Sequence, residues 1–326
     1  ITGSGTIIGT PGNDVILGSK YNDTINGKGG NDLICGGDGN DKIISTGSKG
    51  VLWADGGRGN DDITGLDVAT GADDLRGGSG NDKIRGLAGF DVITAGAGSD
   101  SIAGGDGEDL LYGDDGNDKI TGGDGDDRGL GGPGDDRIYG QEGNDSFSGG
   151  DGNDSFSMNS GADYANGEAG KDKIVLGDEN DLAYGGPDDD HIYGESEADQ
   201  LFGDSGDDLL SGSSGGDQMD GGEGVDVITG STGVDFIRGG PGDDVIDGGP
   251  DGDTVQGEDG DDAIKGGSGP DSLFGGGAGA SATDGYDAID GGDGPDTISG
   301  GTDSSGNALR GNAGDDTING SAGDDG

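Results

Sequence analysis

The chain has 326 residues, 86 of them glycine; 26% are hydrophobic and 4% aromatic, and 69 acidic against 16 basic residues leave a formal charge of −53. So little apolar side chain cannot offset the entropy of ordering so many glycines, which excludes an ordinary globular core. The acidity argues against nucleic acid, whose phosphates need Lys and Arg, and against an anionic membrane surface; no apolar run approaches the roughly 20 residues that span a bilayer.

Composition alone equally fits a disordered acidic polymer; the order of the residues argues otherwise. There is no signal peptide and no initiator Met, so Ile1 reads as a processed or an artificially cut terminus. One cysteine, Cys35, excludes an internal disulfide framework.

From Gly9 the chain runs in nines: Gly9–Leu17, Gly18–Asn26, Gly27–Cys35 and Gly36–Ile44. Longer units follow at 45–55 and 65–76. From Gly77 to Phe274 there are 22 consecutive nines without insertion or deletion. Longer units recur at 275–290 and 300–310, with later nines starting at Gly291 and Gly311. Each long unit is expected to loop out of one coil without disturbing its neighbours.

Position six of the unit is aspartate 32 times. The row begins with Asp14, Asp23, Asp32, Asp41, Asp61 and Asp73. It continues through Asp82, Asp91, Asp100, Asp109, Asp118, Asp127, Asp136, Asp145, Asp154, Asp163, Asp172 and Asp181. Asp190, Asp199, Asp208, Asp217, Asp226, Asp235, Asp244, Asp253, Asp262, Asp271, Asp287, Asp296, Asp316 and Asp325 complete it. Gly5, Leu52 and Asn307 are the exceptions. Position eight is Ile, Leu, Val, Phe or Met, apart from Ala54, Gly129, Ala165 and Ala183.

Positions one to six are rich in Gly, Asn and Asp and predict a turn. Positions seven to nine predict a three-residue strand with position eight inward and its neighbours outward. Lys42, Lys83, Arg85, Lys119, Arg137, Lys173, Arg238 and Lys265 lie at seven or nine, as outward positions require. Two units then make one 18-residue coil, and stacked coils make an all-β, right-handed parallel β-roll or β-helix solenoid with two parallel sheets. The whole chain reads as a single continuous domain, 1–326, of about 17 coils and roughly 80 Å at the usual strand spacing.

Stacking aligns the position-six carboxylates in columns along both edges, where each neighbouring pair costs on the order of 1 kcal/mol even in water. A cation between the turns is required. Ca²⁺ takes six to eight oxygens in flexible geometry, including carbonyls, whereas Mg²⁺ demands a tight octahedron and zinc prefers His and Cys, of which the chain has one each. One Ca²⁺ at each of about 32 sites would move the charge from −53 to about +11. Other acids, such as Asp62, Asp220 and Asp247, fall on strand faces and are expected to be simply solvated.

Gly36-Gly37-Asp38-Gly39-Asn40-Asp41-Lys42-Ile43-Ile44 resembles the RTX (repeats-in-toxin) nonapeptide GGxGxDxUx. The resemblance covers almost the whole chain. It implies a six-residue turn that binds calcium through the position-six aspartate and through backbone carbonyls from residues such as Gly36, Gly37 and Gly39. It leaves the units at Leu52 and Asn307 in question as calcium sites, and the unit with Gly129 without a core residue.

Other features carry less. Ser205 in Gly203-Asp204-Ser205-Gly206-Asp207 resembles a protease nucleophile motif, but the only histidine, His191, is an outward strand residue two units earlier, and a triad needs convergence in a cleft. Gly129-Leu130-Gly131-Gly132-Pro133-Gly134 matches a dinucleotide fingerprint in letters alone. Cys35 should face outward as an unpaired thiol, Trp53 should pack over a loop or sheet end, and Tyr184 and Phe202, one coil apart, could stack.

RTX repeats often append to secreted enzymes or toxins, whose chemistry sits in a separate domain. Here the repeats fill the chain, so neither an enzyme nor a small-molecule substrate is expected. The first expectation is an extracellular calcium-stabilised rod that assembles head-to-tail, since both ends lack a cap. The alternative is a stalk or fragment of a larger secreted adhesin or exoenzyme; ice binding would need a flat threonine array that position nine does not supply.

Overall fold

A computed structural model describes residues 1–276, 285–301 and 306–320. The chain forms two compact units, 1–164 and 165–326. Each is a parallel β-solenoid of about 18 residues per turn, and among the described residues there is no helix. Among the described residues the strands number 34, two to a turn, which makes about 17 turns.

In the first unit β1 (Thr6–Ile8) pairs in parallel with β3 (Thr24–Asn26), and β2 (Val15–Leu17) with β4 (Asp32–Asp38). Alternate strands thus build two sheets on opposite sides of a thin core. The register repeats without slip: Ile102 faces Ile120, and Ile120 faces Ile138. In the second unit Ile228 faces Ile246, and Ile246 faces Ile264. Position eight fills the core along most of the chain, with Ile25, Ile84 and Ile192 fully buried, while Ile318 in the last described strand is 45% exposed.

The strands are longer than positions seven to nine. In regular turns they run six residues, as in Lys83–Ala88 and Val227–Thr232, from position seven to position three. Position one also faces inward. It is usually glycine, but Ala95, Met158 and Leu176 stand there fully buried, giving the core a second, sparser row. Glycines at positions one to three read as turn on propensity, yet inter-turn pairing draws them into the strand, with position two bending through positive φ, as at Gly37 (+114°) and Gly105 (+128°). The turn itself is therefore only positions four to six.

The long units change the spacing and not the register. Lys42 faces Asp62 and Ile43 faces Ile63, 20 residues on. Ala263 faces Ala288 and Ile264 faces Ile289, 25 residues on. Residues 277–284 and 302–305, inside the last two long units, and Asp325 lie outside the described residues.

The core position missing at Gly129 is filled from the next turn. Gly129 faces Phe147, and a Cβ added to Gly129 would sit 2.6 Å from the Phe147 ring. A large side chain thus complements an absent one. Phe147→Ala should cost about 3–5 kcal/mol, the usual price of a buried Phe, and more than Phe156→Ala, whose neighbour Ile138 keeps its side chain. Thermal unfolding in saturating calcium measures the difference; equal losses would contradict this packing.

Candidate metal centre

Each ladder aspartate closes a turn and opens a strand, so both its backbone groups are committed to neighbouring turns. The Asp23 carbonyl accepts the Lys42 amide at 2.9 Å. Its own amide donates to Oδ1 of Asp41, one turn on, at 2.7 Å. The same bond joins Asp100 to Asp118 at 2.7 Å in the first unit and Asp190 to Asp208 at 2.7 Å in the second. The carboxylates are thereby drawn into the structure: the ladder residues from Asp23 to Asp296 are all buried, none more than 4% exposed. Asp14 and Asp316 are half-buried.

Oδ2 has a different fate. At the start of the chain it finds donors: Asp14 Oδ2 accepts the Thr10 amide at 2.6 Å, and Asp23 Oδ2 the Ser19 amide at 2.7 Å. In Asp82, Asp91, Asp100, Asp109, Asp118 and Asp127 it is buried with no hydrogen-bond donor. A buried, unpaired charged oxygen is costly and calls for a counter-charge.

The position-one glycine shapes the space around that oxygen. A Cβ added to Gly36 would lie 2.3 Å from Asp41 Oδ2 and 2.6 Å from the Gly56 carbonyl oxygen of the next turn. At Gly104 the corresponding distances are 2.2 Å to Asp109 Oδ2 and 2.8 Å to the Gly122 oxygen. At Gly36 and Gly104 a carboxylate oxygen and a carbonyl oxygen therefore meet at a corner that the glycine leaves free. Gly37 and Gly39 both hold φ near +114°, and their carbonyl oxygens lie against Gly57 and Gly59 of the next turn.

The donor set is all oxygen, which suits a hard cation such as Ca²⁺. Among the described residues no three His, Cys, Asp or Glu side chains come together. A metal here would draw on backbone carbonyls as well as carboxylates, and the glycine-rich turns supply them.

Burial pushes Asp127, Asp190 and Asp262 up to about 8, against the lowering pull of the amide each accepts; neighbouring ladder carboxylates add to the rise. Asp118 and Asp244 rise to about 7 for the same reasons.

The two exceptions in the row behave differently. Leu52 takes the place of an aspartate opposite Asp32 and is fully buried, so that turn lacks a carboxylate. Asn307 keeps the ladder bond, its Oδ1 accepting the Asp287 amide at 2.8 Å without a charge.

A second ladder escaped the sequence reading. At position five the Asn40 amide donates to Asn22 Oδ1 at 3.0 Å, and Asn60 to Asn40 and Asn81 to Asn60 at 3.0 Å each. In the second unit Val225 donates to Asp207 and Asp261 to Asp243, both at 2.9 Å. It runs opposite to the position-six ladder, with later amides donating to earlier side chains. The recurrent Asn or Asp before the position-six Asp was its signal.

The strand-face acids are more than solvated. Asp62 pairs with Arg85 at 2.9 Å and Lys42 at 3.8 Å, Asp220 with Arg238 at 3.9 Å and Asp247 with Lys265 at 2.7 Å. Parallel stacking sets opposite charges on facing strand positions, though exposed pairs contribute little stability. Ser205 and His191 fall on strands of opposite sheets. Tyr184 and Phe202 stack as expected, centroids 4.9 Å apart and planes within 12°. Trp53 lies on an outer strand face between Leu33 and Asp74, rather than over a loop or sheet end.

A two-sheet parallel solenoid edged by buried aspartate ladders defines a calcium-binding β-roll. Eleven segments match the family described as RTX calcium-binding nonapeptide repeat: residues 8–43, four overlapping segments across 68–156, then 159–183, 184–219, 220–255, 256–278, 280–305 and 302–325. The chain belongs to that family. No curated protein matches it.

Two predictions follow from the ladder. A carboxyl raised in the folded state favours folding below its unfolded value of 3.8 and opposes it as pH climbs through the folded value, here about 6 to 8. In chelator, β-structure measured by circular dichroism should therefore be greatest near pH 4 and lost toward pH 8, and calcium added at pH 7 should release protons; a chelated fold that strengthens with rising pH contradicts this. Separately, Asp118→Asn keeps an Oδ1 for the Asp100 amide, as Asn307 does for Asp287. It should fold in calcium while binding fewer ions by equilibrium dialysis, whereas Asp118→Ala orphans that amide and should cost a further 1–3 kcal/mol or so.

Proposed function

We propose that this chain is an extracellular structural protein, a β-roll that folds where calcium is plentiful and assembles with copies of itself into a fibre, matrix or surface layer. The observation that carries the reading is the sameness of the interface between turns. Ile102 on Ile120 and Ile246 on Ile264 are the same contact repeated, with the same ladder bonds at its edge. A surface that fits its neighbour at every step also fits another copy.

The position-six aspartates would hold the metal, with carbonyls of the position-one, -two and -four residues such as Gly36, Gly37 and Gly39. Bound calcium would supply positive charge to the unpaired Oδ2 atoms. The chain's own residues do the rest: Oδ1 orders the preceding turn's backbone, glycine leaves room at the corner, and position eight excludes water. Extracellular modules bind calcium at roughly 10⁻⁴–10⁻³ M, so the fold would form after export. RTX repeats are typical of secreted proteins, which supports that location. On this reading the chain does no catalysis: its carboxylates are committed to the fold, and His191 is an exposed strand residue.

Sizing and electron microscopy in millimolar calcium test it. Concentration-dependent assemblies that dissolve in chelator are expected. Folded protein that stays monomeric at high concentration contradicts it.

A further inference from the structure

The ladder turns differ from one another in a single peptide. Position two follows the corner residue, and along most of the chain its φ is positive. Gly37 and Gly105 hold it, and so do Leu87 at +85°, Gln141 at +91° and Glu195 at +78°. Residues with side chains rarely adopt this conformation, which persists only where the surroundings impose it. Thr10, Ser19 and Leu66 also stand at position two and do not hold it.

The sign of φ at position two sets which side of the preceding peptide faces the position-six side chain. Where it is positive, the position-one carbonyl faces in. Gly301 holds +89°, and the Gly300 carbonyl before it accepts a hydrogen bond from Nδ2 of Asn307 in its own turn. With aspartate at position six the same peptide sets oxygen toward oxygen, and Oδ2 of Asp41, Asp91 and Asp118 is buried with no donor. At the three exceptions the position-two amide faces in instead. Leu66 donates to Asp73 Oδ2 at 2.6 Å, Ser19 to Asp23 Oδ2 at 2.7 Å and Thr10 to Asp14 Oδ2 at 2.6 Å. The other oxygen is taken as well in Asp73, by the Leu52 amide at 2.6 Å, and in Asp23, by the Gly5 amide.

We propose that a cation enters only those turns whose position-one carbonyl faces the carboxylate, and that Asp14, Asp23 and Asp73, unlike the rest of the row, hold no calcium. This rests on calcium as the cation of the ladder and says which turns take it. An inward amide brings partial positive charge to the oxygen that a cation would neutralise, and it turns away the carbonyl that would share that cation. In the other turns the cation would also hold residues such as Leu87 and Gln141 in their unfavourable φ. Leu52 offers no carboxylate, and Asn307 supplies its own donor. Of the seven position-six residues from Asp14 to Asp73, four (Asp14, Asp23, Leu52 and Asp73) are then metal-free. This end of the first unit is closed largely by amides, where the following turns are closed by ions.

Native mass spectrometry at saturating calcium resolves single ions and tests this on the full chain, with circular dichroism to confirm that each variant folds. Asp23→Asn and Asp73→Asn should carry as many ions as the wild type. Asp91→Asn keeps an Oδ1 for the Asp73 amide and should carry at least one fewer. Asn307→Asp replaces the donor facing the Gly300 carbonyl by a carboxylate and should carry one more. Where a variant does not fold, anomalous scattering from wild-type crystals grown in calcium decides: a peak is expected beside Asp91 and none beside Asp23 or Asp73.

An ion lost from Asp23→Asn or Asp73→Asn, no ion gained by Asn307→Asp, or a peak beside Asp23 or Asp73 overturns the rule, while the loss at Asp91→Asn leaves calcium as the ladder's cation. A wild type that carries no calcium overturns both.

Discussion

The fold depends on one interaction, the bond that nearly every position-six amide makes to the carboxylate one turn on; the Asp32 amide, opposite Leu52, goes to the Val51 carbonyl instead. It fixes the spacing of turns at both edges of the core, and it is why the aspartates are buried at all. Asp100 to Asp118 and Asp190 to Asp208 show it in each unit. The same bond uses only one carboxylate oxygen, so the geometry that orders the backbone also strands a charged atom inside it. The fold is thereby bound to whatever neutralises that oxygen, a proton or a divalent cation.

The thin core explains why this dependence is tolerated. One apolar side chain per nine residues cannot hold the chain closed by burial alone. Phe147 filling the gap at Gly129 shows the core adjusting locally, but its row is narrow everywhere. Stability therefore resides at the edges, in turns whose left-handed positions glycine supplies cheaply, and in the metal that their oxygens can hold. Local rearrangements, such as the loops between Lys42 and Asp62, leave the ladder in register.

Much of this was legible in the sequence because a solenoid has few degrees of freedom once its period is known. The nine-residue repeat, the inward position eight and the recurrent Asp at position six set the number of turns, the sheets and the ladder. The strand length was underestimated at positions one to three, where propensity favours turns and inter-turn pairing carries the strand on through a positive-φ position two. The position-five ladder was missed because Asn and Asp in a turn already have a local explanation. The pairing of Asp247 with Lys265 and of Asp62 with Arg85 was missed because it needs the facing strand, which lies a full turn away in sequence. The carboxylate ladder was expected as a column of repelling charges; the structure adds that each charge also anchors a backbone amide.

The central claim is that the carboxylate ladder makes folding conditional on a cation. Calcium titration of the chelated protein at pH 8, followed by far-ultraviolet circular dichroism, tests it most directly. The account predicts a coil-like spectrum that converts cooperatively to β-structure at millimolar calcium and reverts with chelator. A full β-spectrum at pH 8 in chelator, unchanged by calcium, would contradict it.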